Sequence, residues 1–408
     1  MTSHGNSHSI PSGTTPKSPS TVSVPFLDLA ATTAELRPDL DAAIARVLDH
    51  GKFIKGPELG QFEKAWAQYC GLSHCVGAAN GTAALQALYQ AVGVGPGDEV
   101  ILPSHTFIAT AEAVLLLGAK PVFVDVDRDT WLINPNQARL AVNDRTKAIV
   151  AVQLYGAVAD MDQLRRVADS KGVALLEDAG QGHGATLHGK KCGALCDGAA
   201  FSFFPGKTLG AFGDAGGITT NLPEIDRKAR LYVDHGRSGK FVHEMEGTNA
   251  RLDTMQAAIL LAKLPHLDKW VAHRRAIAKT YRERLCEEPF LSFGMAPQEL
   301  VPDSESGYHL FVVRVPRGRE SLRKALSERG ISTGLHYPVP CHLQPALAHL
   351  GLQPGSLPVT ERLADEVLSL PIGPAMPLDH AHVVMDALSY EINHMSQLRR
   401  RKADSGVR

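Results

Sequence analysis

Between residues 74 and 220 short apolar runs alternate with stretches whose apolar positions fall at helical spacing. Residues 74–77, 97–103, 121–126, 148–152 and 173–176 each read as a strand, and Phe201, Phe203 and Phe204 as the end of another buried strand. Helical stretches begin at Gly81-Thr82, over residues 109–117 and at Asp160-Met161. Strand and helix taking turns at this spacing predict an α/β fold with a mainly parallel sheet and helices on both faces. Ahead of this region, Leu36, Leu40, Ile44, Val47 and Leu48 predict one helix over residues 35–50, closed by Gly51. A further helix runs through Leu59, Phe62, Trp66 and Tyr69.

Beyond residue 250 the pattern changes. Residues 251–264 form an amphipathic helix stopped or kinked by Pro265, which links two domains, and residues 270–285 form a basic-faced helix. A smaller α+β unit is then expected, with strands over 308–315 and 331–337 and helices over 319–329, 361–370 and 381–392. The expected division is a disordered tail over 1–22, a large domain over 23–265, a small domain over 266–395 and a basic tail over 396–408.

Composition narrows the function classes. The net charge of −1 offers no overall basic field for nucleic acid or a membrane surface. Six cysteines without a CxxC pair fit reduced thiols in the cytoplasm. Gly189 and Gly193 interrupt the spacing of His188, Cys192 and Cys196, which argues against zinc, so no metal is expected. The chain has no run of 18 apolar residues and no apolar signal core near its start, so neither a membrane span nor secretion is expected.

Candidate chemistry gathers at strand ends. Lys207 follows the strand break Pro205-Gly206 and precedes Gly210, Gly213, Gly216 and Gly217. A lysine held against apolar walls favours its neutral amine, which can attack a carbonyl carbon and form a Schiff base. Asp178 ends the 173–176 strand, at the edge where open α/β sheets bind ligands. A carboxylate there can pair with a protonated pyridine nitrogen, or simply cap a helix. Gly81 and Thr82 open a helix whose free N–H groups suit a phosphate. Phe107 follows another strand end, where its ring can stack on a flat cofactor or pack in the core.

Three stretches, LLEDAGQGHGA, FSFFPGKTLGAFGDAGG and GTNARLDTMQAAIL, resemble the DegT/DnrJ/EryC1/StrS family of sugar aminotransferases in order and spacing, from about residue 25 to 388. The resemblance implies the aspartate aminotransferase-like fold (type I) and pyridoxal 5′-phosphate as cofactor. It implies that Lys207 carries the cofactor, Asp178 holds its ring nitrogen and Gln181 its phenolic oxygen. Phe107 would cover the ring, and Gly81, Thr82 and Ser202 would bind the phosphate. Asn249 would reach the phosphate of a neighbouring subunit, making a homodimer with shared sites. His336, in the HYP motif, would lie on the side of the sugar nucleotide. The implied reaction moves an amino group from L-glutamate to a nucleotide-linked keto-hexose, the 3-ketone favoured over the 4-ketone by residues 334–345, although Cys341 stands where many relatives have leucine. Three alternatives remain: a cyclitol aminotransferase, a same-fold dehydratase and a non-catalytic regulator. The dehydratase relatives carry histidine in place of Lys207, and the intact set of Asp178, Gln181, Ser202 and Lys207 argues against a regulator.

Overall fold

The computed structural model describes residues 22–404, so apart from Val22 the expected disordered tail lies outside the described residues. Strands β1 (His74–Ala78), β2 (Glu99–Pro103), β3 (Lys120–Val124), β4 (Thr146–Val152) and β5 (Ala174–Asp178) follow the expected order. A small hairpin comes next, β6 (Thr186–Leu187) and β7 (Lys190–Lys191), and then β8 (Gly198–Ser202) and β9 (Gly216–Thr220). The main sheet has seven strands in the order β1-β9-β8-β5-β4-β2-β3. Neighbours from β8 to β3 pair in parallel, whereas β9 pairs antiparallel with both β8 and β1.

Alternate residues of each strand enter two different cores, which is why the strands read as nearly continuous apolar runs. Cys75, Ile101, Ile149, Leu175 and Ala199 pack on one face with Phe62 and Trp66 of the helix Pro57–Cys70. Val76, Val100, Val150, Leu176 and Ala200 pack on the other, with Leu85 and Leu88 of the helix Gly81–Ala91.

A third core joins Val24 to residues beyond 276, among them Tyr281, Phe311, Leu368 and Leu388. Its sheet has the order β10-β12-β13, formed by β10 (Ala296–Pro297), β12 (Phe311–Arg314) and β13 (Val367–Leu370). The two-residue strand β11 (Ser304–Glu305) instead extends the β6–β7 hairpin. Asp125, buried just past β3, ties the main sheet to the helix Pro358–Glu366. Its carboxylate accepts the N–H groups of Val359 and Thr360, each at 2.9 Å, and the Thr360 hydroxyl at 2.8 Å.

Several expectations are corrected. The helix expected over 35–50 is Arg37–His50, with Pro38 in its first turn, and a further helix, Leu29–Glu35, precedes it. The expected stop or kink at Pro265 is present: the helix ends at Lys263, a single 3₁₀ turn Leu264–His266 holds Pro265, and the chain resumes as the helix Leu267–Leu285. Residues 331–337 form no strand. Ile331 bridges Val24 and Gly334 bridges Ser369, so the segment crosses two neighbours and builds a ladder with neither. The helix expected over 361–370 ends at Glu366, and the wholly buried run Val367–Leu370 becomes β13. The last helix, His380–Asp404, runs on past residue 396 into the stretch set apart as a basic tail. Phe204 is 54% exposed rather than buried with Phe201 and Phe203.

Candidate active site

A cavity of about 870 Å³ opens at the carboxyl ends of β5 and β8. It is lined by Gly81, Thr82, Phe107, Asp178, Gln181 and Ser202, and also by Lys207 and His336. Eight of the nine residues singled out in the sequence therefore share one space, although they come from strand ends and loops more than 250 residues apart.

One end of the cavity is built for an anion. Asn80 caps the helix Gly81–Ala91, its side-chain oxygen accepting the Ala83 N–H at 2.8 Å. Among the described residues no acceptor takes the N–H of Gly81 or Thr82, at the positive end of the helix dipole. Ser202, at the end of β8, lies against this turn so closely that a Cβ on Gly81 would sit 2.7 Å from Ser202 Cβ. A Cβ on Gly216, at the start of β9, would sit 2.3 Å from the Asn80 carbonyl oxygen. Both glycines are required by this close backbone approach, which leaves a pocket edged by backbone N–H groups and a hydroxyl.

Asp178 ends β5. Its Oδ2 accepts from the Thr110 hydroxyl at 2.7 Å and its Oδ1 from the Gly180 N–H at 3.1 Å. Burial raises its carboxyl above the ordinary value, against the downward pull of these two bonds and of Lys207. Lys207 lies in the turn after Phe204, whose carbonyl accepts the Lys207 N–H at 2.8 Å. Burial lowers its ammonium from 10.5 to about 8, with Asp178 pulling the other way. For both groups desolvation outweighs mutual attraction, so the charged form of each is less favoured here than in water.

Gln181 is oriented by its surroundings. Its side-chain oxygen accepts the Tyr155 N–H at 2.7 Å, which turns its NH₂ toward the cavity and the Tyr337 hydroxyl, 3.3 Å away. Tyr155 is buried with φ +64°, and its hydroxyl contacts His105 Nε2 at 2.9 Å and the His336 carbonyl. One tyrosine thus fixes both Gln181 and the loop carrying His336. His336 shares a proton with the Ser369 hydroxyl at 2.8 Å and stacks on Phe26, with ring centres 5.8 Å apart. Burial lowers its imidazole to about 4, so it is neutral at pH 7. Phe107 is 53% exposed, its ring 5.6 Å from that of Tyr337. Its exposure leaves a face free for a flat ligand, which core packing would not.

Asn249 is the one candidate not brought to the cavity of its own chain. It is exposed, and its side-chain oxygen accepts from Arg251 at 2.7 Å. His188 pairs with Asp162 at 2.8 Å, not with the nearby cysteines. Sequence reasoning missed Thr110, Tyr155, Tyr337, Arg274 and His309. Of these, only Tyr337 carried a signal, through its place in the HYP motif.

The donor set fits a phosphate-bearing pyridine: an N–H cradle, a facing carboxylate, an amide N–H, an aromatic face and an amine of lowered basicity. Residues 35–389 match the DegT/DnrJ/EryC1/StrS aminotransferase family. The chain is similar to dTDP-3-amino-3,4,6-trideoxy-alpha-D-glucose transaminase of Streptomyces venezuelae, 48% identical over 90% of this chain and 95% of that protein. It is similar in structure to S. venezuelae DesV in complex with a ketimine intermediate, with a TM-score of 0.87, 48% identity and coverage of 90% and 98% of the two chains. It is also similar to NtdA from Bacillus subtilis with bound cofactor PMP, with a TM-score of 0.84, 32% identity and coverage of 93% and 87%.

Proposed function

The chain belongs to the DegT/DnrJ/EryC1/StrS aminotransferase family and is a pyridoxal-phosphate-dependent transaminase, and from that premise we propose that it moves an amino group from L-glutamate to a nucleotide-linked keto-hexose, at C3 in preference to C4. The observation that carries the reading is Lys207 and Asp178 in one cavity with the helix start at Gly81-Thr82. The similar S. venezuelae transaminase is named for an amino group at position 3 of a dTDP-sugar, which supports both the acceptor class and the carbon.

When bound, pyridoxal phosphate supplies a carbonyl that takes up the amino group and a ring that spreads the negative charge formed at the substrate carbon. Gly81, Thr82 and Ser202 would hold its phosphate, with the dipole of the helix Gly81–Ala91 adding to the attraction. Asp178 would hold a proton on the ring nitrogen. A pyridinium proton facing Asp178 would favour its carboxylate, against the burial that raises its pKa. The Gln181 NH₂ would donate to the phenolic oxygen, since its own oxygen is held by Tyr155. Phe107 would cover the ring face. Lys207 would anchor the cofactor and, once displaced, move the proton between substrate carbon and cofactor. An amine near pKa 8 suits both taking and giving that proton near neutral pH. His336, neutral and beside Tyr337, would meet the sugar.

Asn249, exposed and outside its own cavity, would serve the phosphate of a second copy, giving a homodimer with shared sites. Mixing inactive Asn249→Ala and Lys207→Ala chains should restore activity if this is so. The acceptor is tested by offering the pyridoxamine-loaded protein C3 and C4 ketones on uridine, thymidine and guanosine diphosphates, together with a keto-cyclitol. Return of the absorbance of the lysine-bound cofactor reports acceptance. Return with the cyclitol alone would overturn the nucleotide-sugar reading.

A further inference from the structure

Arg274 is a largely uncompensated cation buried in the cavity wall. It projects from the helix Leu267–Leu285, lines the cavity and is only 2% exposed. Its Nη1 donates to the carbonyl oxygens of Tyr308 (3.2 Å), His309 (3.1 Å) and Ile372 (3.1 Å). Its Nε is buried with no acceptor, and among the described residues it makes no ion pair. The neighbouring Arg275, half-buried, does pair, with Glu305 at 3.1 Å. Burial alone lowers the Arg274 guanidinium to about 10. Beside it, His309 also lines the cavity and has a buried Nδ1 without a partner. Two carboxylates line the cavity, Asp178 and Asp214; among the described residues neither pairs with Arg274, and Asp178 is engaged by Thr110 and Gly180.

A buried guanidinium without a countercharge costs stability, and such groups are normally paired. Three carbonyl oxygens satisfy hydrogen bonds but do not neutralise the charge. A guanidinium that lines the cavity and whose Nη2, unlike its sealed Nε, is left without a hydrogen bond among the described residues, beside the imidazole of His309, matches a carboxylate. We propose that Arg274, with His309, binds a carboxylate of the amino donor and so makes the donor half of the reaction selective for amino acids. This rests on the reading that the donor is glutamate, or at least an amino acid. An uncharged region of a keto sugar would gain nothing from this contact, so the two half-reactions should part company when it is lost.

The test uses the cofactor-loaded enzyme and Arg274→Met, with Arg274→Lys as a charge-retaining control in case the methionine variant folds poorly. Binding of glutarate, which cannot react, is measured by calorimetry. The donor half-reaction is followed with glutamate, its α-amide and its γ-amide, and the acceptor half-reaction with the preferred keto sugar. Arg274→Met is expected to bind glutarate and glutamate about 10- to 100-fold more weakly, a loss of about 1.4–2.8 kcal/mol, while the acceptor half-reaction changes less than threefold. In the wild type, the amide that removes the contacted carboxylate should suffer the same loss, and Arg274→Met should no longer distinguish that amide from glutamate. This identifies which carboxylate is held. Unchanged glutarate and glutamate binding, or equal losses in both half-reactions, would overturn the proposal. If Arg274→Met does not fold, failure of Arg274→Lys to retain glutarate binding to within tenfold of wild type, or equal use of glutamate and both amides by the wild type, would also overturn it. A wild type that prefers another amino acid overturns the glutamate reading alone. The Arg274 inference then fails only if that donor binds the variant as tightly as the wild type.

Discussion

Lys207 should destabilise the cofactor-free protein, and the effect can be measured by removing its charge. Burial depresses the Lys207 pKa from 10.5 to about 8, so at pH below 8 folding forces a charged amine into a site that disfavours it. Between pH 8 and 10.5 the unfolded chain binds more protons at this position than the folded one, and stability rises with pH across that window. At 1.36 kcal/mol per pKa unit, the full penalty is about 3 kcal/mol at pH 7 and falls to about 1 kcal/mol at pH 9.5. Lys207→Met keeps the length of the side chain and removes the charge. Urea unfolding of the stripped wild type and variant should therefore show the variant ahead by about 3 kcal/mol at pH 7, with about 2 kcal/mol of that lead lost by pH 9.5. Methionine also adds apolar burial, but that contribution does not depend on pH, so the change in the gap is the diagnostic quantity. A gap of equal size at the two pH values would refute the argument that desolvation, rather than some other feature of the site, sets the basicity of Lys207.

Asp178→Asn should keep most cofactor affinity but slow both half-reactions by about one to two decades, because a charge-assisted contact is worth about 1.5–3 kcal/mol; rapid-scan absorbance checks this, and a wild-type rate would remove Asp178 from the role. Gly81→Ala drives a methyl to 2.7 Å from Ser202 Cβ, so binding of pyridoxal phosphate, followed by fluorescence quenching, should weaken by about tenfold or more, given about 1–3 kcal/mol for overpacking. Unaltered affinity would mean that the cradle lies elsewhere. Asp125→Ala strips three hydrogen-bond donors at Val359 and Thr360 of a charged acceptor and should cost about 1.5–3 kcal/mol in chemical denaturation, with little effect on cofactor affinity.

The parts of the site that sequence exposes are those whose chemistry is unusual for their position. Lys207 between an apolar run and a glycine-rich one, and Asp178 closing an apolar strand, stand out because neither residue is favoured there unless it has work to do. The parallel order of the sheet was likewise legible from the alternation of periods. The groups that orient the chemistry were not. Thr110 is the second residue of an ordinary alanine-rich helix, Ala109–Leu115, and only the register of β5 against its neighbours brings Asp178 to its hydroxyl. Arg274 sits in a basic-looking helix whose pattern reads as solvated, and it is buried only because Tyr308, His309 and Ile372 close over it. The run Val367–Leu370 could continue a helix or start a strand. Its pairing with Phe311–Arg314 decided the matter, and local pattern carries no record of that partner.

The reversed strand β9 has a consequence for synthesis. Among the described residues β1 pairs in the sheet only with β9, and the helix start at Gly81 and Thr82 follows closely on the end of β1. A ribosome must therefore add about 140 further residues after Ala78 before Gly216–Thr220 exist to receive that strand. At roughly 5–20 residues per second this is a delay of about 7–30 s. During it the apolar edge of β1 has no mate, while β2 to β5 can already assemble. A nascent chain stalled before Gly216 should be recognised by chaperones through this orphan strand, and release should track the moment β9 leaves the exit tunnel.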